Sequence, residues 1–389
     1  MQKKKNIPLI RFPEFKADTW QLKLLGDYFI ERNENAEKQI PLYSLTIEKG
    51  IILKGKRYER SFLVSDSSNA YKVMYKNDFA FNPMNLRFGA LARHKEDKKV
   101  SISKYYNIFY CNENGDSAFF EFYLTSYNLI QYYNKMATGS LVEKKRVHYL
   151  DFIQFQKYLP SLPEQTKISS FLTFVNKKLK FLNQRKFLLE KYKKELMQKL
   201  FSQELRFKDD LGKEFPKWEI KNLGDICEIN KGKQVNKETL TEYGEYPCIN
   251  GGISPSGYID KFNELENTIT ISEGGNSCGF INFMKNKFWS GGHCYTLKFY
   301  ETEVINTLFY YQLLKFNETE IMNLRVGSGL PNIQKKDILK YQVLLVNSMK
   351  EKTKIANFLT AIDDKINHLK GQIEKTEIWK KGLLQKMFC

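Results

Sequence analysis

An internal repeat constrains the fold of this chain of 389 residues more than any other feature. Three groups of residues occur twice in the same order: Trp20, Leu25, Gly26 and Asp27 with Trp218, Leu223, Gly224 and Asp225; Thr166, Lys167, Ile168, Phe171 and Leu172 with Thr353, Lys354, Ile355, Phe358 and Leu359; and Gln198, Lys199, Leu200 and Phe201 with Gln385, Lys386, Met387 and Phe388. The second and third groups recur at one common spacing, whereas the first recurs at a wider one. The repeat therefore predicts two like halves, each with a variable segment followed by a segment of constant length.

Each constant segment is predicted to be a long helix. Ser161 with Glu164, and Ser348 with Glu351, have the spacing of a capping box. In such a box the serine hydroxyl accepts from an N–H of the first turn and the glutamate reaches back to the N-cap N–H. No proline lies in the interior of either segment. Both segments can therefore run as uninterrupted helices.

Apolar residues recur along both segments in alternating steps of three and four, the pattern of a helix–helix seam. The seam residues are Leu172, Val175, Leu179, Leu182, Leu189 and Leu196 in the first segment, and Leu359, Ile362, Ile366, Leu369, Ile373 and Leu383 in the second. Lys186, Lys193 and Lys380 interrupt the stripe, and their long stems can carry the charge out to water. Helices of ~38 residues would reach ~57 Å at ~1.5 Å per residue, longer than one domain. We therefore expect the two helices to pack on each other as an antiparallel coiled coil.

The variable segments are predicted to be mixed, β-rich domains. Residues 71–81 are aromatic and loosely alternating, and residues 268–272 alternate strictly before a glycine-rich turn. Local helices are expected around 119–133 and 305–316. The predicted fold is thus α+β, a pseudo-twofold tandem repeat with these parts: a first domain at 1–160, a long helix at 161–205, a second domain at 206–347 and a second long helix at 348–389.

The charge of the chain points to a polyanionic partner. Its 62 Lys and Arg exceed its 44 Asp and Glu, which gives a formal net charge of +18. Sustained positive charge most often faces nucleic acid, because each neutralised phosphate releases a condensed counterion. A generally basic surface that uses lysine for solubility is the alternative at this level.

The sequence argues against membrane, secreted and zinc-binding classes. No apolar run approaches the ~20 residues that span a bilayer. Pro8 and Arg11 cut the apolar stretch after the basic N-terminus too short for a signal peptide. The six cysteines contain no Cys-x-x-Cys pair, and His293 beside Cys294 is interpreted as packing or chance. We expect a cytoplasmic protein with reduced thiols and no metal.

Motifs for catalysis are missing or incomplete. The chain has no phosphate-binding loop, no His-Glu-x-x-His and no Gly-x-Ser-x-Gly. Residues 82–84 share two positions with the Asn-Pro-Pro-aromatic motif of amino-methyltransferases, but the second proline and the aromatic are absent. Asp210 with Glu219 and Lys221 could be drawn as a nuclease-like acidic group, a spacing that arises readily by chance. We expect no catalytic residue and no cofactor in this chain.

Residues suited to reading DNA are more coherent. Bases are read by Arg or Lys at guanine and by Asn or Gln at adenine, offered from loops that reach the major groove. The candidates are Asn85, Arg87, Arg93 and Lys95 in the first domain, and Lys231, Lys233, Gln234, Asn250 and Asn276 in the second. A Gly–Ser turn with basic residues after it precedes each helix and suits phosphate contacts: Ser140 with Lys144, Lys145 and Arg146, and Ser328 with Lys335 and Lys336. For any single candidate, a solvated surface role is the alternative.

These segments resemble the specificity subunit of type I restriction-modification systems over essentially the whole chain. The resemblance is carried by residues 78–89 with Val100, Ser101 and Tyr105, by residues 159–168, by residues 327–333, and by the order of variable module, helix, variable module, helix. Each of two motifs is complete in one half of the chain and altered in the other. Residues 139–142 depart from the fuller motif at 327–333, and residues 349–352 depart from the motif at 162–165.

The resemblance implies two target-recognition domains, each reading one half of a split site in double-stranded DNA, held apart by an antiparallel helical pair. It further implies that the helices dock two modification subunits, which bind S-adenosylmethionine and methylate adenine. Restriction subunits that use ATP and Mg²⁺ for translocation and cleavage would complete a system of defence against foreign DNA. Two other classes remain open: a stand-alone nuclease or methyltransferase with a built-in reader, and a basic coiled-coil protein that binds DNA without sequence preference.

Overall fold

The structure, a computed structural model, describes residues 7–37, 40–54, 70–327 and 329–388. The chain divides into two compact units, Met1–Leu182 with Gln372–Cys389 and Asn183–Gly371. Each of the two long helices contributes residues to both units. The first unit therefore contains the last turns of the chain as well as its first domain.

The first unit is built from small antiparallel sheets and short helices. Its strands are β1 (Gln21–Leu24), β2 (Phe29–Arg32), β3 (Tyr43–Thr46), β4 (Gly50–Leu53), β5 (Tyr71–Met74), β6 (Phe79–Phe81), β7 (Leu91–Arg93), β8 (Val100–Ser103), β9 (Asn107–Cys111) and β10 (Gln156–Leu159). Its helices are α1 (Ser117–Leu124), α2 (Tyr127–Met136), α3 (Tyr149–Ile153) and the first half of α4 (Leu162–Phe201). A four-stranded sheet has the order β2-β9-β6-β7, and β1–β10, β3–β4 and β5–β8 form two-stranded sheets.

Two stretches of this unit are each divided into two elements. The stretch 71–81 forms two strands, β5 and β6, because the chain turns between them at Asn77, whose φ is +72°. The single helix expected around 119–133 is two helices, α1 and α2, with Ser126 at the N-cap of the second. Polar residues at the break, Thr125 and Ser126, favour caps over helix interiors.

Aromatic side chains fill the core of the first unit, with Phe29, Phe79, Phe109 and Phe152 all buried. The same core includes the following residues from the two long helices: Leu172 and Val175 of α4, and Leu383, Met387 and Phe388 from the end of the chain. The ring of Phe388 lies 5.8 Å from that of Phe119. The last turns of the chain are therefore part of the first domain's core.

The second unit repeats this plan, with longer strands in its four-stranded sheet. Its strands are β11 (Glu219–Asn222), β12 (Cys227–Lys231), β13 (Tyr246–Ile249), β14 (Gly257–Ile259), β15 (Thr268–Ser272), β16 (Ile281–Met284), β17 (Trp289–Ser290), β18 (Cys294–Phe299) and β19 (Gln342–Leu345). Its helices are α5 (Val304–Phe316), α6 (Glu318–Asn323), α7 (Lys335–Lys340), the second half of α4 and the first half of α8 (Met349–Lys386). The sheets have the orders β12-β18-β15-β16, β14-β13-β17 and β11-β19.

The core of the second unit lies between its main sheet and the long helices. Ile269 and Ile271 of the strictly alternating strand β15 are fully buried, as the sequence pattern predicts. They share this core with α5 and with residues from both long helices: Met197, Leu200 and Phe201 of α4, and Ile355, Ala356 and Leu359 of α8.

Inside this unit α4 and α8 run in opposite directions. The ammonium of Lys193 lies 2.7 Å from both carboxylate oxygens of Asp363. One to two turns further along α4, Leu200 shares a core with Ile355, which precedes Asp363 on α8. Advancing along α4 therefore means going back along α8. The lysine that interrupts the apolar stripe is held by an ion pair as well as by its stem.

All of the predicted seam residues are at least partly buried, and those of α8 are buried most completely. Ile362, Ile366, Leu369 and Ile373 are each no more than 9% exposed. On α4, Leu172, Val175 and Leu182 are buried, and the other three, Leu179, Leu189 and Leu196, are intermediate. The predicted α+β fold, two β-rich domains and two long helices, is confirmed.

The start of each long helix corrects the glutamate half of the capping-box prediction, whereas the Ser348 hydroxyl does accept a hydrogen bond from the Glu351 N–H, at 3.5 Å. Glu164 accepts hydrogen bonds from the Arg11 guanidinium at 2.6 and 2.8 Å and from the Trp20 indole at 3.2 Å. In the second unit Arg206 and Trp218 bind Glu351 in the same way. Both glutamates are almost fully buried, and their carboxylates pair with an arginine that is itself at least largely buried instead of bonding back to the N-cap.

Candidate nucleic-acid interface

In the second unit the strand register brings the predicted base readers to one end of the sheets. Lys231, the last residue of β12, lies opposite Tyr295 near the start of β18. Ser272, the last residue of β15, lies opposite Cys294. The loops that follow β12 and β15, and the loop that precedes β18, therefore meet at the same edge of the main sheet.

Strand β13 adds a fourth loop to this edge. Asn250 follows β13, which pairs in parallel with β17 through Ile249 and Ser290. The side-chain oxygen of Asn250 accepts a hydrogen bond of 3.1 Å from the backbone N–H of His293. Asn250 is half-buried and its oxygen is used inside the fold. Its position thus serves first to hold the loop before β18.

Backbone hydrogen bonds pack these loops tightly against one another. Gly232 N–H donates to Cys294 at 2.9 Å, and Lys233 N–H donates to Ser290 at 2.9 Å. Only glycine fits at position 232, because a Cβ there would overlap the carbonyl of Gly291. The Lys233 and Gln234 side chains, which follow this close approach, are exposed. A rigid backbone that presents exposed polar side chains is the arrangement that base reading needs.

The glycine-rich loop after β15 joins the same group. Glu273 N–H donates to the His293 carbonyl at 2.9 Å, and Gly275 N–H donates to the Pro331 carbonyl at 2.9 Å. Ser277 closes the group with a hydrogen bond of 2.6 Å from its hydroxyl to the Gly251 carbonyl. Asn276, at the tip of this loop, is exposed.

A buried carboxylate sits in the middle of the four loops. Glu273 accepts from the Lys231 ammonium at 2.6 Å and from the Tyr295 hydroxyl at 3.0 Å. Its second oxygen lies 3.6 Å from Nδ1 of His293. Burial and the hydrogen bond to Glu273 raise the pKa of Tyr295, so its hydroxyl stays a donor. Glu273 therefore offsets much of the charge of Lys231, which the sequence alone assigned to DNA.

The basic turn before the second long helix lies beside these loops. Ile333 N–H donates to the Glu273 carbonyl at 2.8 Å. Lys335 and Lys336 begin α7 two and three residues later, and both are exposed. Ser328 lies outside the described residues. Among the residues that the structure describes, neither lysine forms an ion pair, and both lie where a phosphate backbone could reach them.

In the first unit the turn at residues 82–89 holds two of the candidates. The Asn82 side chain accepts from the N–H groups of Met84 and Asn85 at 3.0 and 3.2 Å, which fixes the turn. The Asn85 side chain is exposed. The Arg87 guanidinium lies 4.3 Å from the centre of the Phe88 ring, and Phe88 is itself half exposed.

A second basic loop is tied to this turn. Thr138 and Arg146 exchange two backbone hydrogen bonds of 2.9 Å, and Val147 N–H donates to the Pro83 carbonyl at 3.0 Å. Ser140 and Lys144 within this loop are exposed. Its remaining candidates, Lys145 and Arg146, are half-buried. The structure thus brings together Asn85, Arg87 and the loop of residues 138–146.

Arg93 and Lys95 are engaged inside the domain. The Arg93 guanidinium binds Glu121 at 3.0 Å, Asn77 at 2.8 Å and Ser117 at 3.2 Å. The Lys95 ammonium lies 2.5 Å from the other oxygen of Glu121. Arg93 therefore links β7 to α1, whereas the Lys95 side chain is still largely exposed.

Sequence reasoning missed His293 as part of this group, having read it as packing or chance. Its side chain is exposed, and its backbone binds both Asn250 and Glu273. The two glycines before it were the available signal, because paired glycines mark close approach of backbones.

Two observations bear on other classes of protein. Within the ranges that the structure describes, no helix could cross a membrane. In the same ranges no three His, Cys, Asp or Glu side chains come together as a metal site.

The second unit contains four buried free thiols: Cys227, Cys248, Cys278 and Cys294. Burial raises the pKa of each thiol, so these cysteines behave as small apolar side chains.

The fold and the converging loops define a class of protein with two β-rich domains that present polar loops, each joined to long helices. Residues 216–377 match the family model described as the type I restriction modification DNA specificity domain. This stretch is thus similar to that family of domains, and the resemblance of the chain to type I specificity subunits is confirmed.

Curated relatives support the resemblance to type I specificity subunits over part of the chain. A putative type I specificity subunit of Mycoplasma pneumoniae is 34% identical over 171 residues, which are 44% of this chain and 45% of that protein. A putative type I specificity subunit of Mycoplasma genitalium is 29% identical over 171 residues, 44% of each chain. The chain thus matches under half the length of these relatives.

Solved structures share the fold over nearly the whole chain. The crystal structure of a type I restriction-modification S subunit from M. genitalium has a TM-score of 0.70 at 18% identity, covering 98% of this chain and 99% of that one. A chain from a study of complex assembly and conformational transition in the type I R-M system has a TM-score of 0.53 at 16% identity, covering 95% and 98%.

Proposed function

We propose that this chain is the DNA-recognition subunit of a type I restriction-modification complex and that each β-rich domain reads one half of a bipartite DNA site. One observation carries the proposal: four loops of the second unit meet at one edge of its sheets and present Lys233, Gln234 and Asn276 to solvent. Amide and ammonium groups on a rigid backbone suit adenine and guanine edges in the major groove. Lys335 and Lys336 beside them suit phosphate.

The long helices would dock two modification subunits, one on each unit. Within the first unit α4 leaves Phe174 and Phe181 more than 60% exposed. Within the second unit Phe187 and Leu188 are more than 50% exposed. Large apolar side chains on the solvent face of a helix are characteristic of partner-binding surfaces. Exposed apolar side chains along α4 therefore support the docking of a partner on this helix.

Catalysis would belong to the partners. In this proposal the modification subunits bind S-adenosylmethionine and methylate adenine, and restriction subunits use ATP and Mg²⁺. This chain supplies positioning alone, with no cofactor of its own, in a complex that acts in the cytoplasm against foreign DNA. The buried, raised-pKa thiols and the internally bonded Glu273 and Asp363 offer no free nucleophile or base.

Methylome mapping tests the proposal. The chain is co-expressed with its modification partner, and methylated adenines are mapped before and after residues 20–158 are exchanged for those of a specificity subunit with another target. We expect one half of the methylated site to change and the other half to stay. Unchanged methylation, or loss of any shared motif, would contradict the assignment. Purified chain alone, assayed with S-adenosylmethionine or Mg²⁺, is expected to be inactive, whereas activity would favour the enzyme class.

A further inference from the structure

A short loop in the second unit carries the most exposed large apolar side chain among the described residues, Leu330, at 88%. Val326 and Asn332 exchange backbone hydrogen bonds of 2.9 and 3.0 Å and close the loop. Gly327 has a φ of +95°, which favours glycine. The leucine is thus exposed beside this paired backbone and contributes nothing to the core.

The base of this loop is anchored in the group of DNA-facing loops. Pro331, directly after the leucine, accepts a hydrogen bond from Gly275 next to the exposed Asn276. Ile333 donates to the Glu273 carbonyl and accepts from the Tyr295 hydroxyl at 3.3 Å. The leucine therefore lies beside candidate base readers and not on an unrelated surface.

The first unit has an equivalent side chain. Leu141 follows its Gly–Ser turn directly and is 53% exposed. The paired Thr138 and Arg146 close this loop, and Val147 ties it to the turn that carries Asn85. In sequence, both domains thus have an exposed leucine shortly after a Gly–Ser pair and before basic residues.

An exposed leucine followed within a few residues by exposed lysines fits a partner that is anionic outside and apolar inside, which describes stacked bases behind phosphates. Side chains such as Leu and Pro enter between base steps as wedges, partly unstacking and kinking the duplex. Resting on the proposed function, we propose that Leu330, backed by Pro331, and Leu141 are wedge residues that insert between bases of their respective half-sites. The adjacent Lys335 and Lys336, and Lys144, would hold the flanking phosphates.

Fluorescence of 2-aminopurine tests the wedge, because its emission rises when the base is unstacked. The full chain with its modification partner is bound to duplexes that contain the mapped site, with 2-aminopurine placed in turn at each position of both half-sites except the methylated adenine and its neighbours, because a methyltransferase flips its target base out of the duplex. We expect emission to rise at one step in each half-site. Leu330→Ala should remove the rise in the half-site read by the second domain and weaken binding about tenfold. Leu141→Ala should remove the other rise only.

Two control variants test whether the loss of any exposed leucine has the same effect, and whether another apolar side chain can replace Leu330. Leu211→Ala removes a leucine that is 81% exposed outside these loops and should leave emission and affinity unchanged. Leu330→Met keeps an apolar wedge and should retain the rise. Because both leucines are exposed, the variants should melt at the wild-type temperature.

The outcomes separate the two proposals. If Leu330→Ala binds its site as the wild type does and keeps the emission rise, the wedge is wrong while sequence reading stands. If the wild-type complex shows no preference for the mapped site over scrambled DNA, the proposed function itself fails. If Leu330→Ala abolishes the emission rise in one half-site and Leu141→Ala abolishes it in the other, both the wedge and the proposed function are supported.

Discussion

The indole nitrogen of Trp20 donates a hydrogen bond of 3.2 Å to the carboxylate of Glu164, at the start of the first long helix. Trp218 makes the same bond to Glu351, at 3.2 Å, in the second unit. An arginine from a distant part of the chain completes each site, Arg11 in the first and Arg206 in the second. The internal repeat is thus a repeated buried polar joint as well as a repeated sequence, and each joint fixes a β-rich domain to a long helix.

Removing the charge at this joint should destabilise the second unit. Glu351→Gln leaves the Arg206 guanidinium, which is 19% exposed, without its anion, and breaking such a buried pair costs about 3 kcal/mol. Urea unfolding of the full chain, followed by circular dichroism, measures the loss. Asp210→Asn breaks the exposed pair with Lys354 on the same helix and should leave the free energy of unfolding nearly unchanged. Equal losses in the two variants would contradict the buried joint.

The ion pair between Lys193 and Asp363 marks a difference between the halves. Gln312 of α5 also donates to Asp363 at 2.7 Å, so one carboxylate joins both long helices to the second domain. In the repeat the equivalent positions are Lys380 and Asn176, which line the same cleft in the first unit. The first unit thus has the lysine without the carboxylate.

Adding the missing carboxylate should stabilise the first unit. We expect Asn176→Asp to gain up to ~1 kcal/mol through a new pair with Lys380, as partly exposed pairs do. Asp363→Asn should cost about 3 kcal/mol, because it leaves Lys193 charged in a buried site. Both are measured by urea unfolding at low and high salt. Destabilisation by Asn176→Asp would show that the two clefts are not equivalent.

The sequence predicted what depends on local pattern and missed what depends on distant partners. Heptad spacing was enough to place Leu172 and Leu359 in buried seams. The same reasoning gave Glu164 a capping role, because nothing local shows that Arg11 returns to it across 153 positions. Arg93 and Lys231 were assigned to DNA for the same reason, since their acidic partners Glu121 and Glu273 are remote in sequence.

Phosphate and base contacts should respond differently to mutation. Lys336→Ala is expected to weaken DNA binding equally for all sequences and to lower the salt slope by about one counterion. Gln234→Ala is expected to cost ~1–3 kcal/mol and to relax preference at one base pair. Titrations of the complex with site and scrambled duplexes at several salt concentrations distinguish the two. Lys365→Ala, on the exposed face of α8, is the matched control and should change neither. Loss of sequence preference on Lys336→Ala would reverse these roles.

Under the proposed function, the long helices set the number of base pairs between the two half-sites. Four residues inserted after Asn183, matched by four after Lys370, lengthen each helix by ~6 Å, which corresponds to about two base pairs at ~3.4 Å each. The inserts leave the recognition loops and both Glu–Arg–Trp joints unaltered, so the half-sites themselves should stay the same. Methylome sequencing should then show the same two half-sites with a longer spacer. Replacement of four residues at each point without insertion controls for local disturbance and should preserve the spacer. Altered half-sites with an unchanged spacer would contradict this role of the helices, because helix length would then act on reading instead of on distance.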